Sequence, residues 1–251
     1  SSAIALDNPE LEAAREKKLP IYQRAEFLAN LMQEYTAITI AGAHGKTTTT
    51  SMVSNMLVEA GVNPTTAIGG IVQGTSAYAG WGQGKYFVSE VDESDGSFLK
   101  FAPSYSVITN VDLEHINHFK SWEEICLAYE AFVNRTVNGG MVIANGDDER
   151  LMKILLENNV AYSTFGFCET NDIYAVDTKL NSFSSIFQCV YKGKLLGEVK
   201  IFVPGKHNIL NALACINLGL QLSISFEVII ASFHKFFGVE RRFQLKGDVG
   251  Q

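Results

Sequence analysis

The sequence predicts an α/β fold of the phosphate-loop type, a mainly parallel sheet flanked by helices with a small antiparallel subsheet, and three observations carry that expectation. First, the apolar run Ile38-Thr39-Ile40-Ala41 breaks into Gly42-Ala43-His44-Gly45-Lys46-Thr47 just before a helical apolar spacing of Met52, Val53, Met56 and Leu57. Second, short runs rich in Val, Ile, Tyr and Phe at 85–91, 105–110, 141–145 and 161–165 are separated, in the later part, by helical segments at 121–138 and 147–158. Strands alternating with helices give a parallel sheet covered on both faces. Third, residues 172–203 turn to near alternation around Lys192-Gly193-Lys194, the pattern of antiparallel strands.

The remaining elements follow in chain order. Asp7-Asn8-Pro9-Glu10 is a helix cap with proline in the first turn, and a second helix is expected at 24–34, both ahead of the loop and in a different unit from it. The glycines between 69 and 84 are too irregular for a repeat and read as loops and short hairpin strands. Helices are expected again at 208–222 and 225–236.

Gly42 and Gly45 let backbone amides approach an anion, the following helix offers its N-terminal dipole, Lys46 adds a point charge, and the Thr47 hydroxyl suits Mg2+. The common form of this loop has a glycine where the chain has Ile40, so the bare spacing is weaker than its context. A triphosphate needs hard metal ligands at neighbouring strand ends. Glu90-Val91-Asp92-Glu93-Ser94-Asp95 follows one strand and Thr109-Asn110-Val111-Asp112-Leu113-Glu114-His115 follows the next. Such acids also serve as helix caps, the alternative reading for Glu93 and Asp95.

Bulk properties narrow the function classes. The 251 residues carry a net charge of −7, with Lys and Arg scattered rather than gathered in a stripe, which argues against nucleic acid and for small substrates. No apolar run reaches the ~18 residues of a membrane span, so no membrane insertion is expected. Cys126, Cys168, Cys189 and Cys215 are far apart and read as buried, reduced thiols of a cytoplasmic protein. A start at Ser1-Ser2 and an end at Gln251 suggest a piece of a longer chain.

Five motifs, in order and spacing, resemble the Mur ligases: Gly42 to Thr49, Glu90 to Asp95, Thr109-Asn110 with His115, Pro204-Gly205-Lys206-His207-Asn208-Ile209-Leu210-Asn211-Ala212, and Phe237-Gly238-Val239-Glu240-Arg241-Arg242-Phe243-Gln244. The resemblance implies residues 1–36 as the tail of a UDP-binding first domain, 37–238 as the central ATP-binding domain, and 239–251 as the junction to an amino-acid-binding domain. It also implies an ADP-forming ligase of peptidoglycan precursor synthesis. Within the family the similarity is greatest to members that join L-alanine to the lactoyl carboxylate of UDP-N-acetylmuramate through an acyl phosphate. Members that add a tripeptide to the same nucleotide sugar are the alternative, although Glu93 to Leu99 fits the alanine-adding members better. A nucleotide-binding module without ligation is a second alternative.

By the same resemblance, Gly42, Ala43, His44, Gly45, Lys46, Thr47 and Thr48 bind ATP, with His207 and Asn208 on its adenine, Asn211 less firmly assigned, and Arg242 on its γ-phosphate. Thr47 and Glu90 hold one Mg2+ and His115 a second. Histidine on Mg2+ is chemically unusual, and composition alone points to zinc or manganese. Lys46, Glu90, His115 and Arg242 form the catalytic set, with His44 and Asn110 as substrate contacts. Ala43 stands where relatives carry threonine or asparagine. Glu130 stands where several carry a carbamylated lysine, so a carboxylate for the metal is expected there without bicarbonate. The 251 residues alone are expected to bind ATP and Mg2+ weakly and not to complete ligation.

Overall fold

The computed structural model describes residues 4, 5, 7–70, 79–112, 119–137 and 139–239. Two short helices open the chain, α1 (Pro9–Glu16) and α2 (Arg24–Met32). The Asn8 side chain accepts the Glu10 amide at 2.9 Å, and Pro9, with no amide to lose, fills the first turn. α1 buries none of its residues, whereas α2 buries Ala29 and Met32 against the main body.

Next come β1 (Thr36–Ala41), α3 (Lys46–Glu59), β2 (Thr65–Ala67), β3 (Ala79–Gly80), β4 (Tyr86–Glu90), β5 (Tyr105–Ile108), α4 (Trp122–Val133), β6 (Met141–Asn145), α5 (Glu149–Glu157) and β7 (Tyr162–Gly166). β8 (Ile173–Leu180), β9 (Ser185–Tyr191), β10 (Lys194–Ile201), α6 (Lys206–Gln221) and α7 (Phe226–His234) complete the described chain. All ten strands join in one sheet, ordered β10-β9-β8-β7-β6-β5-β1-β4-β2-β3. β1 lies between β4 and β5 and is parallel to both, and β6, β7 and β8 continue in the same sense. β9 is antiparallel to both β8 and β10, the antiparallel part that the alternation from 172 to 203 predicts, so β9 reverses the direction and β10 returns to it.

Element ends shift by a few residues from the sequence expectation. α4 stops at Val133 rather than near 138, because the Asn134 side-chain amide turns back onto the Glu130 carbonyl at 3.0 Å and ends the helix with its own hydrogen bond.

Two apolar layers sandwich the sheet. Ile38 and Ile40 of β1 pack with Met52, Met56 and Leu57 of α3 and with Leu213, Ile216, Ile229 and Phe233 of α6 and α7. Ala37 and Ala41 face the opposite layer, with Tyr129, Phe132, Leu151 and Leu155 of α4 and α5. Successive strand residues point to opposite faces, so one β1 strand feeds both cores. Five central strands therefore run in one direction and release their following loops along one edge. There the phosphate loop, the acidic turn after β4 and the Thr109-Asn110 turn meet.

The thiols only partly follow expectation. Cys189 and Cys215 are buried, Cys126 is half-buried and Cys168 is exposed; all four are free. Cys168 sits in the short, exposed connection from β7 to β8, where the Phe167 and Cys168 amides and the Cys168 thiol all turn to the Asp147 carboxylate. No helix among the described residues is long and apolar enough to cross a membrane.

Candidate active site

The phosphate loop is shaped by two glycines and braced by three other elements. Gly42 and Gly45 adopt φ of +126° and +86°, a region that L side chains rarely enter. A Cβ on Gly42 would lie 2.2 Å from Thr109 Oγ1 and 2.9 Å from the Asn110 carbonyl, so β5 reaches the loop only because position 42 has no side chain. A Cβ on Gly45 would lie 2.5 Å from Asn211 Oδ1 of α6.

Asn110 clamps the loop. Its Oδ1 accepts the His44 amide at 2.9 Å and its Nδ2 donates to the His44 carbonyl at 3.0 Å. Thr109 Oγ1 stands within hydrogen-bond range of the Ala41 and His44 carbonyls, 3.2 and 2.5 Å away. Both polar atoms of the Asn110 side chain, expected as a substrate contact, are engaged by the loop backbone, and Asn110 also lines the cleft. Farther along the same edge, Asp148 caps α5 and accepts the Val111 amide at 2.8 Å, while Asn145 donates to the Thr109 carbonyl at 3.1 Å. His44 is exposed, with Nε2 3.8 Å from Asp112.

Lys46 points back over the loop. Its Nζ donates to the Gly42 carbonyl at 2.7 Å and to both oxygens of Glu93 at 2.9 Å. Glu93 is only 5% exposed, and burial is the main influence that pushes its carboxyl above the ordinary carboxylate range, with Lys46 pulling the other way. Glu93 is therefore not a helix cap. Asp95 takes that role by accepting the Ser97 amide at 2.9 Å at the start of a 3-10 turn, Ser97–Lys100.

Glu90, at the end of β4, lies against the glycine pair that follows β2. A Cβ on Gly69 would fall 1.6 Å from Glu90 Oε1, and one on Gly70 would fall 3.0 Å from Thr47 Cγ2. Glu90 Oε2 is buried without a hydrogen-bond partner. A buried carboxylate oxygen lacking a donor is costly unless a cation or water completes it. The Glu90 carboxylate and the Thr47 hydroxyl each offer the kind of hard oxygen that Mg2+ takes together with phosphate and water oxygens. Among the described residues no three His, Cys, Asp or Glu side chains converge as a metal cage, so such an ion would depend on the triphosphate for further ligands.

The opposite wall is the start of α6. Gly205, at φ +104°, lets the His207 ring fold over it: a Cβ there would lie 2.6 Å from His207 Cε1. Asn208 Nδ2 donates to the Pro204 carbonyl at 2.7 Å, and Asn208 Oδ1 accepts from Asn211 Nδ2 at 3.2 Å. Between the two walls opens a cleft of about 730 Å3 lined by the loop from Ala43 to Thr48, by Asn110 and by His207 and Asn208.

The structure thus brings Gly42, Ala43, His44, Gly45, Lys46, Thr47, Thr48, Asn110, His207 and Asn208 to one place, while Glu90 lies against Gly69 and Thr47 against Gly70. Glu130 is half-buried on α4 and does not line the cleft, and its carbonyl caps the helix through Asn134. His115 and Arg242 lie outside the described residues. Sequence reasoning missed the pairing of Glu93 with Lys46 and the bracing by Thr109. The acid cluster after β4 was a usable signal for the first, and Thr109, beside the chosen Asn110, for the second.

Residues 40–219 match the Mur ligase middle domain, and residues 1–36 match the Mur ligase family catalytic domain. The chain belongs to the Mur ligase family. Curated relatives of this Mur ligase include the UDP-N-acetylmuramate–L-alanine ligases of Geotalea uraniireducens (strain Rf4) and Lawsonia intracellularis (strain PHE/MN1-00), each 43% identical over 99% of this chain. The chain spans about half the length of these relatives, 54% in both cases. A UDP-N-acetylmuramate-alanine ligase from Thermotoga maritima superposes with a TM-score of 0.86 at 29% identity, covering 98% of this chain and 55% of that one. The UDP-N-acetylmuramate:L-alanyl-gamma-D-glutamyl-meso-diaminopimelate ligase from Neisseria meningitides superposes with a TM-score of 0.83 at 25% identity, covering 95% and 78%.

Proposed function

We propose that this Mur ligase chain is the nucleotide-binding part of an ADP-forming ligase that joins L-alanine to the lactoyl carboxylate of UDP-N-acetylmuramate in the cytoplasm. The observation that carries the reading is identity of 41–43% over nearly the whole chain to relatives that share that one name. On this reading residues 37–238 form the ATP-binding domain, 1–36 the tail of a UDP-binding domain, and 239–251 the junction to an amino-acid-binding domain.

A carboxylate is a poor acyl donor, and phosphorylation turns one of its oxygens into a leaving group. The lactoyl oxygen attacks the γ-phosphorus of ATP and ADP departs. The amine of alanine then attacks the acyl carbon, phosphate leaves with that oxygen, and the nitrogen gives up a proton to become the amide. The chain's residues position and screen these anions. Loop amides from Ala43 to Thr48 and the dipole of α3 hold the phosphates, Lys46 supplies positive charge, and His207 and Asn208 flank the adenine. Glu90 and Thr47 would hold Mg2+, which would supply charge neutralisation to the triphosphate. His115, Glu130 and Arg242 are proposed in their family roles, a second Mg2+ for the first two and the γ-phosphate for Arg242.

Phosphate release from ATP and UDP-N-acetylmuramate, measured on the protein at the length of its relatives, tests the reading. Release that depends on L-alanine is expected. Release that depends instead on the tripeptide makes it a tripeptide ligase, and nucleotide binding without amide formation under either amine makes it a binding module.

A further inference from the structure

We propose that Glu93 is a positioning residue that competes with the triphosphate for Lys46, so that nucleotide binding requires a transfer of the lysine ammonium from an internal carboxylate to the ligand. This rests on the nucleotide reading above and adds to it a residue that the motif comparison leaves without a task. The geometry behind it is the three-way grip on Nζ: 2.7 Å to the Gly42 carbonyl and 2.9 Å to each Glu93 oxygen. An ammonium has three protons, and these three acceptors use them all. A phosphate oxygen can gain a proton from Lys46 only as one of these contacts lengthens.

The Gly42 carbonyl belongs to a backbone at φ +126° packed against Thr109 and Asn110, which restrains it more than a side chain is restrained. Glu93 is the contact that can yield, because it reaches Lys46 with a side chain from the turn after β4. The pair is nearly dry, with 18% of the lysine side chain and 7% of the glutamate side chain exposed. Charges so screened from water interact strongly, and the same desolvation makes a negative carboxylate repel an incoming polyphosphate. Glu93 thus opposes binding in two ways: it occupies the cation and adds a like charge behind it. In exchange it keeps Lys46 neutralised and extended along the loop, so that the charge sits within reach of the phosphate position rather than in bulk solvent.

Calorimetric titration of the 251-residue chain with tripolyphosphate, ADP and adenosine separates these effects, comparing wild type with Glu93→Gln. The amide keeps the shape and an acceptor for Lys46 but removes the competing charge. Tripolyphosphate and ADP should bind roughly fivefold tighter or better, at the lower end of typical coupling between two ligands for one group. Adenosine, which has no phosphate, should bind E93Q and wild type equally; a merely structural change would move all three. If E93Q does not fold, Glu93→Asp gives the same reading with a smaller gain, since it draws the charge back by one methylene. Phosphate affinity that is unchanged or weaker in the variant that folds overturns the inference while leaving the nucleotide reading intact. Wild type that binds neither ADP nor tripolyphosphate overturns both.

Discussion

The parallel strands β1, β4, β5, β6 and β7 and the antiparallel-paired strands β8, β9 and β10 belong to one sheet, yet the phosphate-loop wall of the cleft is built from the first group. Parallel strands deliver all their carboxyl ends to one edge, so loops distant in sequence meet: Gly42, Glu93 and Asn110 lie within one cluster of contacts. Antiparallel strands send alternate ends to opposite edges and cannot gather loops in this way. Burial follows the same division. β1 is buried along nearly its whole length, as expected of a strand covered on both faces, whereas β8 is exposed over its second half. The antiparallel-paired strands serve the site through the loop that follows β10. They carry the chain to Val203-Pro204-Gly205, from which α6 starts and brings His207, Asn208 and Asn211 to the far wall of the cleft.

The sharpest way to break this comparison is to make one substitution in both regions. Gly42→Ala places a methyl 2.2 Å from Thr109 Oγ1 and 2.9 Å from a carbonyl, at a φ of +126°. Backbone cannot step aside there, so we predict loss of nucleotide binding, with stability lowered by about 3 kcal/mol or more from strain and clash combined. Gly193→Ala, in the turn between β9 and β10, has a φ of +75° but nothing within 4 Å of the new methyl. It should cost about 1 kcal/mol and leave binding unchanged. Chemical denaturation and ADP titration of both variants measure the contrast. Equal losses of binding would end the claim that the phosphate-loop wall is built from the parallel group.

The contrast also explains what the sequence disclosed. A buried strand followed by glycines and a helix start is a local pattern, so β1, the phosphate loop and α3 were legible almost to the residue, as was the reversal after 172. Contacts made across the sheet were not. Glu90, Asp92, Glu93 and Asp95 look alike in sequence, yet one leans over Gly69, one holds Lys46 and one caps a turn, because the fold around the end of β4 decides which way each points. Asn110 drew attention as a polar residue at a strand end, but only the packing of β5 against β1 turns both its polar atoms onto His44. Cys168 looked like its buried counterparts until the Asp147 carboxylate was seen to pull the surrounding amides inward.

A second substitution separates stability from binding within the antiparallel-paired region. Phe187 of β9 is fully buried in the layer shared with α6, and truncation to alanine leaves a cavity the sheet cannot close. Phe187→Ala should cost about 3–5 kcal/mol. Phe187 is not among the residues that line the cleft, so the fraction that stays folded should bind tripolyphosphate with wild-type affinity. A large drop in that affinity would show that β8, β9 and β10 set the position of the loop and not only that of α6.

The smallest effect is one of pH, and it also falls on the antiparallel-paired region. Burial in β9 pushes the Cys189 thiol from 9.0 up to about 12. The folded state therefore keeps its proton at a pH where the unfolded state has released it, and stability falls wherever the folded state binds more protons. The contribution is intact below the unfolded value of 9.0 and is lost progressively as pH rises toward about 12. One unit above the unfolded value, near pH 10, the cost from this thiol is roughly 1.4 kcal/mol. Cys215, buried beside Met56 under the parallel strands, is pushed up in the same direction and adds to the same alkaline loss. Denaturation midpoints of wild type and Cys189→Ala at pH 7 and pH 10 resolve the two. The variant should lose stability at pH 7 from its small cavity, and the gap to wild type should narrow at pH 10. A gap that stays constant would mean that the thiol keeps an equal proton affinity in the folded and unfolded chain, and that β9 is more open to water than its packing under α6 implies.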